Sequence, residues 1–256
     1  MSWDHKKSVK ELIRHIIFNI GAGRLLLLNK KRNGHIIDHL SAPTPEERFS
    51  MIYNLGVWVH SQEQEALSGL GSEIRFTSKI IQELPSLLER LGSQHLLDVG
   101  CGDWSWMQAV KLPCDYIGVD IVPEVIRANR RHERQGVSFA VADAITGPLP
   151  KADVGLCREV LFHLSLDDGL AALANMKNSV RWLVATTNPS LWFNSDIATG
   201  DFREINLQRP PYCLPPPRER IFDDGVQPGR ILAVWAVEDI PGIRRKALAK
   251  SASGAC

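Results

Sequence analysis

From residue 95 to residue 187, short apolar runs alternate with segments whose apolar positions recur at helical spacing. The runs are His95–Val99 (HLLDV), Asp115–Asp120 (DYIGVD), Gly136–Ala142, Ala152–Cys157 (ADVGLC) and Ser179–Thr187 (SVRWLVATT). Near-continuous apolar runs of this length read as strands covered on both faces. Trp104–Val110, the segment VPEVIRANRR and Asp167–Met176 lie between them as expected helices. Strand and helix alternating in this way predict an α/β fold with a doubly wound parallel sheet. Upstream, Ile74, Ile80, Ile81, Leu84, Leu87, Leu88 and Leu91 share one helical face, so Glu73–Leu91 is expected to be a helix that Pro85 kinks or restarts and Gly92 stops. Downstream the rhythm fails: residues 188–217 hold six prolines and four aromatics without a period. Irregular stretches of that length are usually functional, so this one is expected to face the substrate. Arg220–Asp223 and Ile231–Val237 then read as a closing antiparallel hairpin.

The polar residues that interrupt this pattern carry the candidate chemistry. His95–Asp103 (HLLDVGCGD) runs from a buried strand into a turn containing Gly100, Cys101 and Gly102, with Asp98 at the strand end. A turn that cradles a pyrophosphate keeps bare backbone where Asp98 stands, because a carboxylate there would repel the phosphates. An anion instead suits a cationic ligand, and the glycines let that ligand approach the main chain. The turn could equally be an ordinary strand-to-helix connection. Asp120 follows Asp98 by 22 residues and Asp143 follows Asp120 by 23, each at the end of a strand. Acids repeated at one edge of a parallel sheet form a site, and Asp120, next to Ile121, is placed to accept both hydroxyls of a ribose. The competing role for Asp120 and Asp143 is to cap the segments that follow. The fourth strand delivers Arg158, Glu159 and His163 to the same edge.

DVGCG, GVD and VADA resemble the cofactor-binding motifs of class I S-adenosylmethionine-dependent methyltransferases, over residues 73–240. The third glycine of the usual motif is replaced by Trp104. The resemblance implies a Rossmann-like seven-stranded sheet of order 3-2-1-4-5-7-6 with its last strand antiparallel, and S-adenosylmethionine as cofactor. It implies that Asp143 or Ala144 meets the adenine amino group; the SGLGS loop either touches the cofactor through Ser72 or is a plain connector. SGLGS, DVGCGDWSWM, CREVLFHLS and TGDFREINLQRPPYCLPPP also resemble a bacterial subgroup found in polysaccharide or secondary-metabolite contexts. The expected reaction is O-methylation of a hydroxylated small molecule or saccharide; N-methylation of an amine or protein side chain, and a non-catalytic cofactor-binding subunit, are the alternatives. A base is needed to deprotonate a hydroxyl, and His163 or Glu159 could serve. Arg158, Asn188, Asp196, Asp201 and Arg203 are the expected substrate contacts, with ion pairing or solvated surface charge as their other roles.

Composition narrows the picture. A formal net charge of +1 gives no basic signature for nucleic acid, but residues 1–40 carry +5 and the remainder −4. Five cysteines without a C-x-x-C pair argue against a disulfide framework and against a zinc site, and no metal is expected. A cytoplasmic location fits that cysteine usage. Charges and the Gly21-Ala22-Gly23 break rule out a membrane-spanning helix in Val9–Leu28. Its helical apolar spacing suits either a cap helix packed on the domain or on a second copy, or a segment lying on an anionic membrane surface. Residues 1–72 are thus expected to form a helical extension, 73–240 the cofactor-binding domain, and 241–256 a flexible tail.

Overall fold

The computed structural model describes residues 23–61 and 63–242, together with helical positions 9, 12, 13, 16 and 17. Much of Val9–Leu28, and the tail from residue 243 onward, lie outside the described residues. Helix α1 (Gly23–Arg32) and helix α2 (Pro45–Asn54) form the described part of the N-terminal extension. Helix α2 begins in a capping box: Thr44 Oγ1 accepts from the Glu47 backbone N–H, and the Glu47 carboxylate accepts from that of Thr44. Helix α3 (Ile74–Arg90) continues through Pro85 without the expected restart, because burial of Ile80, Leu84, Leu87 and Leu88 outweighs one missing backbone bond. Gly92, at φ +65°, then turns the chain into the sheet.

Seven strands follow: β1 (His95–Val99), β2 (Asp115–Asp120), β3 (Val137–Val141), β4 (Val154–Cys157), β5 (Trp182–Thr187), β6 (Glu219–Phe222) and β7 (Ile231–Ala236). Their order is β3-β2-β1-β4-β5-β7-β6, with β1 to β5 parallel and β7 antiparallel to both of its neighbours. This is the α/β doubly wound arrangement that the alternating pattern predicts. Helix α4 (Pro123–Asn129) follows β2, and helix α5 (Leu166–Ser179) lies between β4 and β5. Consecutive strand residues face opposite sides, so Leu97, Ala233 and Trp235 join one core while Leu96, Leu232 and Val234 join the other.

Two elements depart from the pattern. Trp104–Val110 is no crossover helix; only a single turn at Met107–Ala109 is helical. Trp104 has φ +58°, outside any right-handed helix, and its indole is buried against Tyr116 and Phe139. Cys213 is disulfide-bonded, whereas Cys101, Cys114 and Cys157 are free. Residues 188–217 contain no helix or strand and are held by side-chain amides. Asn194 Nδ2 donates to the carbonyls of Asn206 and Pro210 (both 2.9 Å), and Asn206 Nδ2 to that of Leu191 (2.6 Å). Among the described residues, no helix is long and apolar enough to cross a membrane.

Candidate active site

The C-terminal ends of β1, β2, β3 and β4 open into one cleft of about 940 Å³, counting the space open to solvent at its mouth. Its floor is the glycine turn. Gly100 and Cys101 donate their N–H groups to the Val119 carbonyl (2.8 and 3.0 Å), which draws the turn across the end of β2. Gly100 and Gly102 have φ of +74° and +55°, and a Cβ on Gly100 would stand 2.3 Å from a Val160 methyl. Glycine is required there by both conformation and space. Trp104, where the motif's third glycine would be, adopts the same left-handed backbone and sends its ring into the core behind the floor.

Each of the three strand-end acids has a definite partner. Asp98 is buried and accepts from the Tyr116 hydroxyl (2.7 Å). Burial pushes its pKa up to about 7; the Tyr116 bond opposes the rise, Asp120 adds to it and Arg158 opposes it. Asp120 accepts from Gly102 N and Val122 N (3.0 Å each), so it ties the turn to the start of α4 while lining the cleft beside Ile121. Burial raises its pKa as well. Asp143 accepts from Ile145 N (2.8 Å) and the Thr146 hydroxyl (2.7 Å), bracing the turn after β3 where no helix begins, and it too lines the cleft with Ala144.

Over this floor lies the SGLGS loop, whose Ser72 reaches the cleft. Asp103, which sequence reasoning missed, fastens the loop: its carboxylate accepts from Leu67 N (2.5 Å) and Ser68 N (3.4 Å). Its own N–H donates to Ser68 Oγ (2.8 Å), which also meets the Tyr53 hydroxyl (2.9 Å). The only signal available was one more acid directly after Gly102. Tyr53 and Trp58, which line the cleft from the N-terminal extension, gave none.

These features fit a cationic nucleoside. A buried carboxylate that is half-protonated near pH 7 recovers its charge beside a sulfonium or ammonium, and the bare turn admits the ligand's backbone-hugging portion. Residues 97–182 match a family described as "Methyltransferase domain". That stretch of the chain is similar to methyltransferase domains. A search of curated proteins gives no significant match. Among solved structures, the domain is similar to magnesium protoporphyrin IX methyltransferase from Synechocystis PCC 6803 with bound SAH, at 15% identity and TM-score 0.42, over 55% of this chain and 68% of that one. It is similar to the N-methyltransferase NodS from Bradyrhizobium japonicum WM9 (22% identity, TM-score 0.35, 42% and 61% of the two chains). The amino pentose methyltransferase CalS10 from Micromonospora echinaspora is a third (22%, TM-score 0.38, 45% and 52%). None of these likenesses bears on what this chain acts upon.

At the end of β4 the cleft concentrates charge and strain. Glu159 has φ +59°, a backbone costing about 1–2 kcal/mol for an L-residue, and its N–H donates to Thr186 Oγ1 (2.9 Å). Its carboxylate stands 3.1 Å from Arg158 and 2.6 Å from Arg230. Arg158 is buried, paired through two nitrogens with Asp223 (2.9 and 3.2 Å), and lies over the Trp106 ring. The pairing role considered for Arg158 is therefore the one observed, although it also borders the cleft. His163 borders the cleft through a short helical turn. Its Nδ1 meets the Asp201 carbonyl at 2.9 Å, so the proton sits on Nδ1 and Nε2 keeps the lone pair. Burial pushes its pKa down to about 4, against the pull of Asp201.

Three expected substrate contacts stand elsewhere. Arg203 is fully buried and donates to the carbonyls of Ser195 (2.7 Å) and Leu161 (3.3 Å), holding the 188–217 segment together. Asp196 accepts from Leu166 N (2.8 Å) at the start of α5. Asn188 is buried and bonded to Ser190 and Glu204. Backbone groups of an irregular segment need partners, and these polar side chains supply them. Asp201 pairs with Lys30 of α1.

Proposed function

We propose that the chain transfers the methyl group of S-adenosylmethionine to a hydroxyl of a small molecule or saccharide, with His163 as the base. The observation that carries this reading is the neutral imidazole with a fixed tautomer in the same cleft as Asp98 and Asp120. When bound, the cofactor supplies a methyl already activated by its sulfonium. Asp98 faces the ligand's positive charge, Asp120 the ribose hydroxyls, and Asp143 with Ala144 the adenine. Gly100, Cys101, Gly102, Ile121 and Ser72 complete the cofactor's surroundings. Residues 1–72 act as a cap over domain 73–240, and 188–217 forms the acceptor-side wall. Glu159, engaged by two guanidiniums, orients rather than deprotonates.

A base with a pKa of about 4 suffices because a hydroxyl becomes strongly acidic as its oxygen bonds to the incoming carbon. The same low pKa keeps Nε2 unprotonated throughout the neutral range. Incubation with labelled S-adenosylmethionine and matched panels of hydroxyl and amine acceptors tests the reading. Label in products that behave as ethers or esters supports it, and label confined to amines overturns it. Cofactor binding without label in any product would point to a non-catalytic subunit.

A further inference from the structure

Beyond His163 lies a second cavity of about 1330 Å³, again counting its open mouth, which shares Trp58, Ser68, Glu159 and His163 with the cofactor cleft. Its far walls come from three regions outside the alternating core. His39 and Lys30 belong to the N-terminal extension, Asp201 and Phe202 to the irregular segment, and Gln227 and Arg230 to the loop between β6 and β7. These walls are locked together: Lys30 pairs with Asp201, His39 Nε2 lies 3.1 Å from the Gly200 carbonyl, and Arg48 donates to that of Thr199 (3.0 Å).

We infer that this cavity is the acceptor site and that it selects a neutral, polyhydroxylated ring, a sugar residue, presenting one hydroxyl to His163. The inference rests on the methyl transfer proposed above. Three features carry it. First, the formal charges on the walls balance, Lys30 and Arg230 against Glu159 and Asp201, and burial holds His39 and His163 neutral. An ionic acceptor would find no net field of opposite sign. Second, the cavity offers aromatic faces at Trp58, Phe162 and Phe202, with the Trp58 ring 4.9 Å from that of His163. Such faces pack against the C–H surface of a sugar ring. Third, polar side chains line the junction of the two spaces: Ser68 and His163 border both, beside the Glu159–Arg230 ion pair (2.6 Å). The hydroxyls of a sugar ring both donate and accept, which suits such a lining.

The test separates binding from turnover. The full chain, saturated with S-adenosylhomocysteine, is titrated by saturation-transfer NMR with neutral methyl glycosides, a hexuronate, an amino sugar and catechol. We expect neutral glycosides to bind, Phe202→Ala to weaken them about tenfold, and Phe202→Tyr to restore them, with affinity for S-adenosylhomocysteine unchanged in each. Phe202 lines the second cavity and not the cofactor cleft, so that affinity doubles as the control for folding. Preference for the uronate, amino sugar or catechol, or no binding by any glycoside, overturns the sugar assignment. Methyl transfer to catechol would at the same time sustain the proposed reaction. Conversely, glycosides that bind without ever being methylated would sustain the acceptor site and overturn the reaction.

Discussion

The two sides of the cleft are built by different means. On the cofactor side, Asp98, Asp120 and Asp143 come from successive repeats of one unit, each placed by the end of a strand whose register the parallel sheet fixes. On the acceptor side, Glu159, His163 and Arg230 hang from turns and loops that no ladder aligns, and ion pairs and an imidazole–carbonyl bond hold them. A repeated scaffold thus places groups through the backbone alone, while an irregular wall must spend side chains on its own construction. That is why Arg203, Asp196 and Asn188 are absent from the cleft.

The contrast can be broken most sharply at Arg158. Replacing it by Met leaves the buried Asp223 and Glu159 to share Arg230 alone, so we expect a loss of about 3 kcal/mol in urea unfolding. Adding Asp223→Leu should recover much of it. An unchanged midpoint for Arg158→Met would mean that the acceptor wall does not depend on its ions. His163→Ala should lower kcat by about a hundredfold or more while leaving cofactor affinity within a few-fold, as calorimetry and single-turnover assays can show together. A parallel loss of cofactor affinity would move His163 to the other side of the comparison.

The cofactor side is probed by pH. Asp98 has a pKa near 7 and must ionise to meet a cation, so protons compete with the ligand. Affinity for S-adenosylmethionine should therefore weaken by up to about tenfold for each pH unit below 7 and level off above it. Asp98→Asn should flatten that slope. The smallest effect is at the edge of the extension. Thr44→Ala removes one half of the capping box of α2 and should cost about 1 kcal/mol, read from the thermal midpoint, without altering cofactor affinity.

This division also accounts for what the sequence reveals. Strand runs and their terminal acids are local patterns, so β1 to β5 and the positions of Asp98, Asp120 and Asp143 are legible. The closing hairpin expected at Arg220–Asp223 and Ile231–Val237 likewise corresponds to β6 and β7. Trp104–Val110 misleads because apolar spacing says nothing of the left-handed φ at Trp104. The roles of Asn188, Asp196 and Arg203 depend on partners up to dozens of residues away, such as Leu161 for Arg203. Asp103 is hidden for the same reason: its partners, Leu67 and Ser68, lie in a loop far upstream.

The Asp103 fastening has its own bearing on how the cleft is covered. The carboxylate grips main-chain N–H groups of residues 67 and 68, which every amino acid except proline supplies. The loop can therefore vary the side chains it shows to an incoming acceptor without loosening its hold on the turn beneath.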